Sequence, residues 1–257
     1  MAGRHAVGHH HVHVPGDSPV HRLAPEAKLV GLGLFVASVA LVPPRAVGVY
    51  AVDGLVLAAV VAVACLSPRL VASRVAVVAP FVVFALFIPF VADGEQTELL
   101  GVSMSVDGLW SAGDIVAKAL LGATATLLVS ATTPLPDLMA GLARLRVPPV
   151  MVAIAAFMFR YLDLQVDQLR RMRAAMTARG HDPRWLWQAR PVASSAGVLF
   201  VRSYERGERI HQAMLARGFT GAMPELEVRR PDRSDWWVAG LPAVVALAAT
   251  TSALVLS

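Results

Sequence analysis

The sequence predicts an all-α, polytopic integral membrane protein with two long amphipathic helices in a cytoplasmic region. Three observations carry this fold class. The 257 residues are 56% hydrophobic with a mean hydropathy of +0.59, and only 16% are charged, against about 25% in soluble domains. The basic residues are confined: 16 of the 23 Lys and Arg lie between Arg144 and Arg233, and only Lys118 falls between Val75 and Ala143. The hexapeptide Ala175-Met176-Thr177-Ala178-Arg179-Gly180 recurs 38 positions later as Ala213-Met214-Leu215-Ala216-Arg217-Gly218, with one difference.

The isoelectric point near 10.1 is not that of a nucleic-acid-binding domain. The positive charge forms one block framed by apolar runs, which is the signature of a cytoplasmic region between spans. The single cysteine, Cys65, excludes an intrachain disulfide and a Cys-based zinc site. The polar, His-rich N-terminus lacks the basic region and short apolar core of a cleaved signal peptide, so the first apolar run is expected to stay.

Residues 1–27 form a polar leader carrying His5, His9, His10, His11, His13 and His21. Lys28 to Val42 is an apolar run stopped by Pro43-Pro44, short of the roughly 20 residues a span needs. It is either tilted or paired with the next run. Val47–Leu66 is a second span holding Asp53, and Arg69 and Arg74 mark a basic loop after it. Val75–Val91 is a third, with Pro80 and Pro89, which neighbouring helices make tolerable in a membrane. Ala92–Val106 is an acidic connection with Asp93, Glu95 and Glu98 and no Lys or Arg, and is expected on the outer side. Asp107–Thr132 is a fourth helix with Asp107 as its expected N-cap and Lys118 inside it.

Pro134 and Pro136 end that helix, and Leu135–Leu145 reads as a short amphipathic one. Pro148-Pro149 opens a long helix to Arg179, apolar up to Phe159 and amphipathic from Arg160 onward. Its apolar face is expected to hold Leu162, Val166, Leu169 and Met176. A second long helix, opened by Pro183 and interrupted at Pro191, runs from about Val192 to Arg217. Trp236 and Trp237 form an interfacial belt before a final span, Val238–Leu256. The chain therefore divides into a leader (1–27), transmembrane helices (28–133), a cytoplasmic region (134–234) with long helices at about 149–179 and 192–217, and a C-terminal span (235–257). The positive-inside rule puts 134–234 in the cytoplasm. Counting back puts the N-terminus inside, and the C-terminus falls outside.

Gly after a helix is the commonest C-cap, and Arg in the last turn complements the helix dipole. Cap chemistry leaves the shared Ala-Met unexplained. Ala permits close approach, Met is an adaptable apolar contact, and Arg is a forked donor for carboxylates or carbonyls. Together they describe a helix tip shaped to fit a groove, and two tips suit two grooves, as on a dimer.

From Gly16 to Gly221 the chain resembles the transmembrane T component of energy-coupling-factor (ECF) transporters, the EcfT/CbiQ family, and within it the cobalt-type CbiQ. The resemblance rests on Gly16-Asp17-Ser18-Pro19-Val20-His21-Arg22-Leu23, Ala27-Lys28-Leu29 and Pro80-Phe81-Val82-Val83-Phe84-Ala85-Leu86. It continues in Asp107-Gly108-Leu109-Trp110, in Thr132-Thr133-Pro134 with Asp137-Leu138 and Leu142, and in Phe159-Arg160-Tyr161. Arg170-Arg171-Met172-Arg173 and the run Arg202–Arg209 match the coupling helices, and the two Ala-Arg-Gly triplets are the family's signature. Ala24-Pro25-Glu26 departs from the Asp-Pro-Arg often found in the family.

The resemblance implies a non-catalytic subunit in a bacterial or archaeal plasma membrane. Its long helices would insert Ala178-Arg179-Gly180 and Ala216-Arg217-Gly218 into a pair of CbiO-like ABC-type ATPases, with Met176 and Met214 in support. It further implies a CbiM/CbiN-like substrate-binding membrane subunit, ATP and Mg bound by the partner ATPases, no cofactor in this chain, no nucleic acid, and Co²⁺ as the transported ion. Nickel is the alternative cargo. The chain has no Gly-x-x-x-x-Gly-Lys-Ser/Thr and is expected not to hydrolyse ATP itself.

His9, His10, His11 and His13 are candidate metal ligands, since imidazole suits Co²⁺, Ni²⁺ and Zn²⁺. The preferred reading is a polar leader, so no metal site is assigned. Asp53 and Lys118 are either an interhelical pair or residues near the interface, where Lys snorkels. Asp167 has Arg170 and Arg171 within pairing distance along its own helix. His211 reads as packing or surface. No catalytic residue is assigned, because a membrane-embedded hydrolase requires paired His, Asp or Glu within spans and these hold almost none. A third class, a membrane anchor that recruits a cytoplasmic partner without transport, stays open.

Overall fold

A computed structural model describes residues 14–92, 96–99, 102–180, 190–219, 221 and 231–256. The His-rich stretch up to His13, Asp93, Glu95 and the Pro183 region lie outside the described residues. The helices are α1 (Pro19–Arg22), α2 (Pro25–Ala40), α3 (Val47–Val63), α4 (Pro68–Val75), α5 (Ala79–Val91), α6 (Val106–Thr132), α7 (Leu135–Arg144), α8 (Pro149–Ala178), α9 (Arg190–Leu215) and α10 (Arg233–Leu256). A short antiparallel hairpin, β1 (Gln96–Leu99) with β2 (Val102–Ser105), joins α5 to α6 in the register Gln96↔Ser105 to Leu99↔Val102. The fold is that of an all-α polytopic membrane protein, with this hairpin inside the acidic connection.

Among the described residues, four helical stretches are long and apolar enough to cross a membrane: Pro68–Val91, Val106–Thr132, Pro149–Ala178 and Arg233–Val255. The first includes α4, a single 3₁₀ turn at Ala76–Val78, and α5. Val47–Val63 is a shorter apolar helix. At 16 residues, α2 reaches about 24 Å, below the roughly 30 Å of hydrocarbon. Pro149–Ala178 owes its apolar character to the stretch up to Phe159, since Arg160, Asp163, Asp167, Arg170, Arg171 and Arg173 all follow it.

The structure divides into two compact units. One holds α1–α7 with α10, and the other begins at Arg146 and holds α8 and α9. In the first unit, α2 and α10 run parallel in backbone contact. A Cβ on Gly31 would sit 2.3 Å from the Ala239 carbonyl oxygen. Within a membrane, helices gain little from hydrophobicity and associate through close packing of small residues. Gly31 supplies that on α2, and Ala239, Ala243 and Ala246 supply it on α10. Phe35, Val39, Leu57, Leu121, Ala125, Ala243 and Ala246 form the core around this pair. The α5–α6 hairpin closes in the same way at Gly108, whose Cβ would lie 2.7 Å from Pro89 Cα.

The sequence places the N-cap of α6 on Asp107. The structure puts it on Ser105, whose Oγ accepts from Gly108 N at 3.3 Å. Both side chains are good caps. The hairpin decides, because β2 ends at Ser105 and the helix begins immediately after it. Asp107 is released to accept a bond from Arg45 at 2.7 Å.

At the opposite end of these helices a polar cluster ties α2 to α6 and α7. The Lys28 ammonium donates to the Thr133 hydroxyl (2.9 Å), the Thr132 carbonyl (3.1 Å) and the His21 carbonyl (3.3 Å). Arg144 on α7 donates to Glu26 at 3.0 Å, and Gly141 lets α7 approach the Pro25–Glu26 backbone. Glu26 therefore has a basic partner.

Replacing Gly31 by Leu should lower the thermal stability of the detergent-solubilised chain by about 1–3 kcal/mol or more, as overpacking does. Gly33→Leu should be tolerated, since nothing lies within 4 Å of a Cβ there. Lys28→Met should cost about 1.5–3 kcal/mol, the worth of charge-assisted hydrogen bonds. Melting followed by size-exclusion chromatography checks all three.

Candidate functional site

The two repeats lie on the C-terminal ends of α8 and α9. Gly180 has φ +79° and Gly218 has φ +80°, the left-handed region that a Cβ disfavours. At the end of α9, Phe219 N bonds Met214 O and Gly218 N bonds Leu215 O, both at 3.0 Å. These are the two bonds of a Schellman cap. At the end of α8, Gly180 N bonds Thr177 O at 2.9 Å and Arg179 N bonds Met176 O at 3.1 Å. The cap reading of each glycine therefore holds, and the two helices end in the same geometry.

The caps leave the rest of each hexapeptide available. Ala178, Arg179, Gly180, Ala216, Arg217 and Gly218 are all exposed, and neither arginine is paired with another described residue. Met176 and Met214 are half-buried. The Ser195 hydroxyl of α9 lies 3.4 Å from the Met176 sulfur, so Met176 is partly occupied in joining α8 to α9.

The two faces of α8 differ from the sequence expectation. Leu162 and Leu169 are 49% and 37% exposed, whereas Gln168 is buried. The sheltered residues are Tyr161, Gln165, Val166, Asp167, Gln168, Met172 and Met176, so Val166 and Met176 of the expected face are half-buried while its two leucines are exposed. A partially polar face is turned inward, and the leucines are left outward. Asp167 does pair with Arg170, at 3.4 Å, and His211 is exposed.

Asp53 and Lys118 do not pair with each other. Lys118 binds Asp114 on its own helix at 3.0 Å, and the Tyr50 hydroxyl donates to that same Asp114. Asp53 is fully buried, with neither carboxylate oxygen hydrogen-bonded. Asp114 and Tyr50 were not singled out from the sequence, although the i,i+4 spacing of Asp114 and Lys118 was there to be read. His21 has a local role. Its Nε2 faces the Val14 carbonyl (3.0 Å), which can only accept, so in the neutral ring Nδ1 receives the Ser18 hydroxyl (2.7 Å). Among the described residues no group of three or more His, Cys, Asp or Glu is placed to hold a metal ion.

The class these features define is a multi-pass helical membrane protein with two long helices ending in matched, exposed Arg-Gly caps. The family model of the cobalt transport protein CbiQ matches residues 16–228, and the chain belongs to that family. It is 30% identical over 238 residues to the cobalt transport protein CbiQ of Rhodobacter capsulatus, covering 90% of this chain and 89% of that one. It is likewise 30% identical over 251 residues to the energy-coupling factor transporter transmembrane protein EcfT of Thermanaerovibrio acidaminovorans, covering 90% and 91%. A Methanocorpusculum labreanum protein named as a fused cobalt transport protein, CbiMQ, is 25% identical over 186 residues, 68% of this chain and 31% of that one. These relationships make the chain a T component of an ECF-type transporter.

Substituting Gly218 by Val should cost about 1–2 kcal/mol at the tip, since it forces a β-branched residue into the left-handed region. Hydrogen exchange at the amides of Gly218 and Phe219 should then speed up, while the middle of α9 keeps its protection.

Proposed function

We propose that the chain couples a pair of ABC-type ATPases to a membrane substrate-binding subunit for cobalt uptake, and that α8 and α9 are the coupling helices. The observation that carries this is the pair of tips. Two helices end in hexapeptides that differ at one position and in matching glycine caps, with Arg179 and Arg217 exposed. A single exposed Arg-Gly end is a cap and no more. Two equivalent ends suit a partner that offers two equivalent grooves. Arg is fitted to such a contact because its planar fork grips carboxylates or carbonyls bidentately.

The proposed mechanism is mechanical. ATP binding draws the two ATPases together, the seated tips follow them, and the helices pass the displacement to the substrate-binding subunit. Nothing in this mechanism is catalytic in this chain. Cobalt as cargo is supported by the name of the Rhodobacter relative, and a CbiM-like partner by the name of the fused one. The basic block supports placing 134–234 and the N-terminus in the cytoplasm.

The test is Arg179→Ala with Arg217→Ala in the full chain. Wild type should co-purify with its ABC ATPase in mild detergent, and the double variant should lose it, with ⁵⁷Co²⁺ uptake falling at least tenfold. Unchanged capture and unchanged uptake at equal membrane levels would reduce both arginines to caps. An uptake assay with competing Ni²⁺ separates the two candidate cargoes.

A further inference from the structure

A cavity of about 290 Å³ lies in the membrane unit among α1, α2, α3, α6 and α10, near the lower end of small-molecule sites (about 300–1,000 Å³). Its origin is local. Pro242 lies inside the continuous helix α10 and has no N–H to give the Val238 carbonyl. Gly31, Ala59, Ala125 and Ala239 leave the opposing walls short of side-chain volume.

Three features define what it can hold. Its walls are apolar except for Lys28. It reaches through about two-thirds of one leaflet's hydrocarbon, which is about 15 Å deep. On α10 the lining begins at Val238, directly after the Trp236-Trp237 belt. On α2 it runs from Lys28 to Phe35, about 10 Å along the axis at 1.5 Å per residue. The cavity thus starts at the interfacial level and extends parallel to the helices toward the midplane. Finally, its one ammonium has nothing left to offer a ligand. The three Lys28 hydrogens go to His21 O, Thr132 O and Thr133 Oγ1, and an ammonium has three donors.

Val63, Val238 and Leu241 line the cavity and are exposed, so it is a groove open at the surface of the helices. Its apolar walls give water nothing to bond, and within a membrane an apolar molecule fills it. In a bilayer, the apolar molecule at that depth and in that orientation is a lipid tail. We propose that this cavity is a binding site for one acyl chain of a phospholipid from the leaflet on the α7 side, which is the cytoplasmic leaflet in the orientation proposed above. Because Lys28 is saturated, recognition is of the chain and not of the headgroup.

The test uses the full chain in mild detergent, with whatever subunits accompany it, after reconstitution with palmitoyl-oleoyl phosphatidylethanolamine or phosphatidylglycerol and exhaustive detergent exchange. Native mass spectrometry then counts retained phospholipid. Wild type should keep one molecule of either lipid per chain. Ala59→Trp and Leu241→Trp fill the cavity from different walls and are exposed enough to fold. Each should reduce retention at least fivefold. Leu55→Trp, on the same helix as Ala59 but 71% exposed and outside the cavity, should retain lipid as wild type does. Equal retention by the filled variants, no retention by wild type, or retention of phosphatidylglycerol alone would each overturn the assignment. None of these outcomes depends on ATPase docking or transport.

Discussion

The backbone contact between α2 and α10 is the constraint on which the rest of the membrane unit depends. It joins the first long helix of that unit to the last, so that α3–α7 are inserted between them in sequence. The contact is possible only because position 31 is glycine, with the Ala239 carbonyl where a Cβ would stand. At the far end of the pair, Thr250 Oγ1 bonds back to Ala246 O at 2.8 Å and lies 3.5 Å from Ser38 O. The hydroxyl thus satisfies itself within its own helix while it packs against the neighbour, a common solution in a medium without water. Helix α2 is too short to cross the hydrocarbon alone, and its partner explains how it is held there.

The start of α10 is set by a side-chain cap and a backbone turn between the same two residues. Asp232 N donates to Asp235 Oδ2 at 2.9 Å, and Asp235 N donates to Asp232 O at 3.0 Å. Asp235 is buried, and its side chain supplies one half of a capping box, while the Asp232 side chain accepts from Arg233 N at 2.7 Å. The α2 side of the same end carries Lys28, Glu26 and their partners on α6 and α7. The polar groups of the unit are thus concentrated where the helices begin or break, and the carbonyl freed at the end of α6, Thr132 O, is answered by an ammonium. Inside the helices, the described polar groups include Asp53, the Tyr50–Asp114–Lys118 group and hydroxyls such as those of Ser38 and Thr250.

Helix limits were largely legible in the sequence because they are set by single residues with strong local rules. Pro43-Pro44, Pro134, Pro148-Pro149, Gly180 and Gly218 each end or open an element at or within a few residues of the place they predict. What failed was pairwise or rotational. The N-cap of α6 went to Ser105 because a hairpin that no local signal announced delivers the chain there. The sheltered face of α8 takes in Val166 and Met176 but is shifted toward Gln165 and Gln168, because an amphipathic pattern fixes a stripe only to within about 100°. Asp53 and Lys118 were weighed against each other, when the closer partner of Lys118 lay one turn away on its own helix. The parallel α2–α10 pair was out of reach, since two apolar helices separated by most of the chain carry no mark of whom they will meet.

The candidate site shows why a structural and a functional reading of the same residues are compatible. In each hexapeptide the glycine is determined by backbone geometry, at φ near +80°. The methionine is half-buried, and in the first copy it touches Ser195 of the other long helix. The arginine alone has no assigned role within the described chain. Dipole compensation at a helix C-terminus is worth about 0.3–1 kcal/mol, and Lys or His supplies it as well as Arg does. A cap therefore accounts for the glycine and for a positive charge, but not for the choice of Arg twice. That residual, unexplained by folding, is the part of the motif left for a partner with two equivalent acceptor sites.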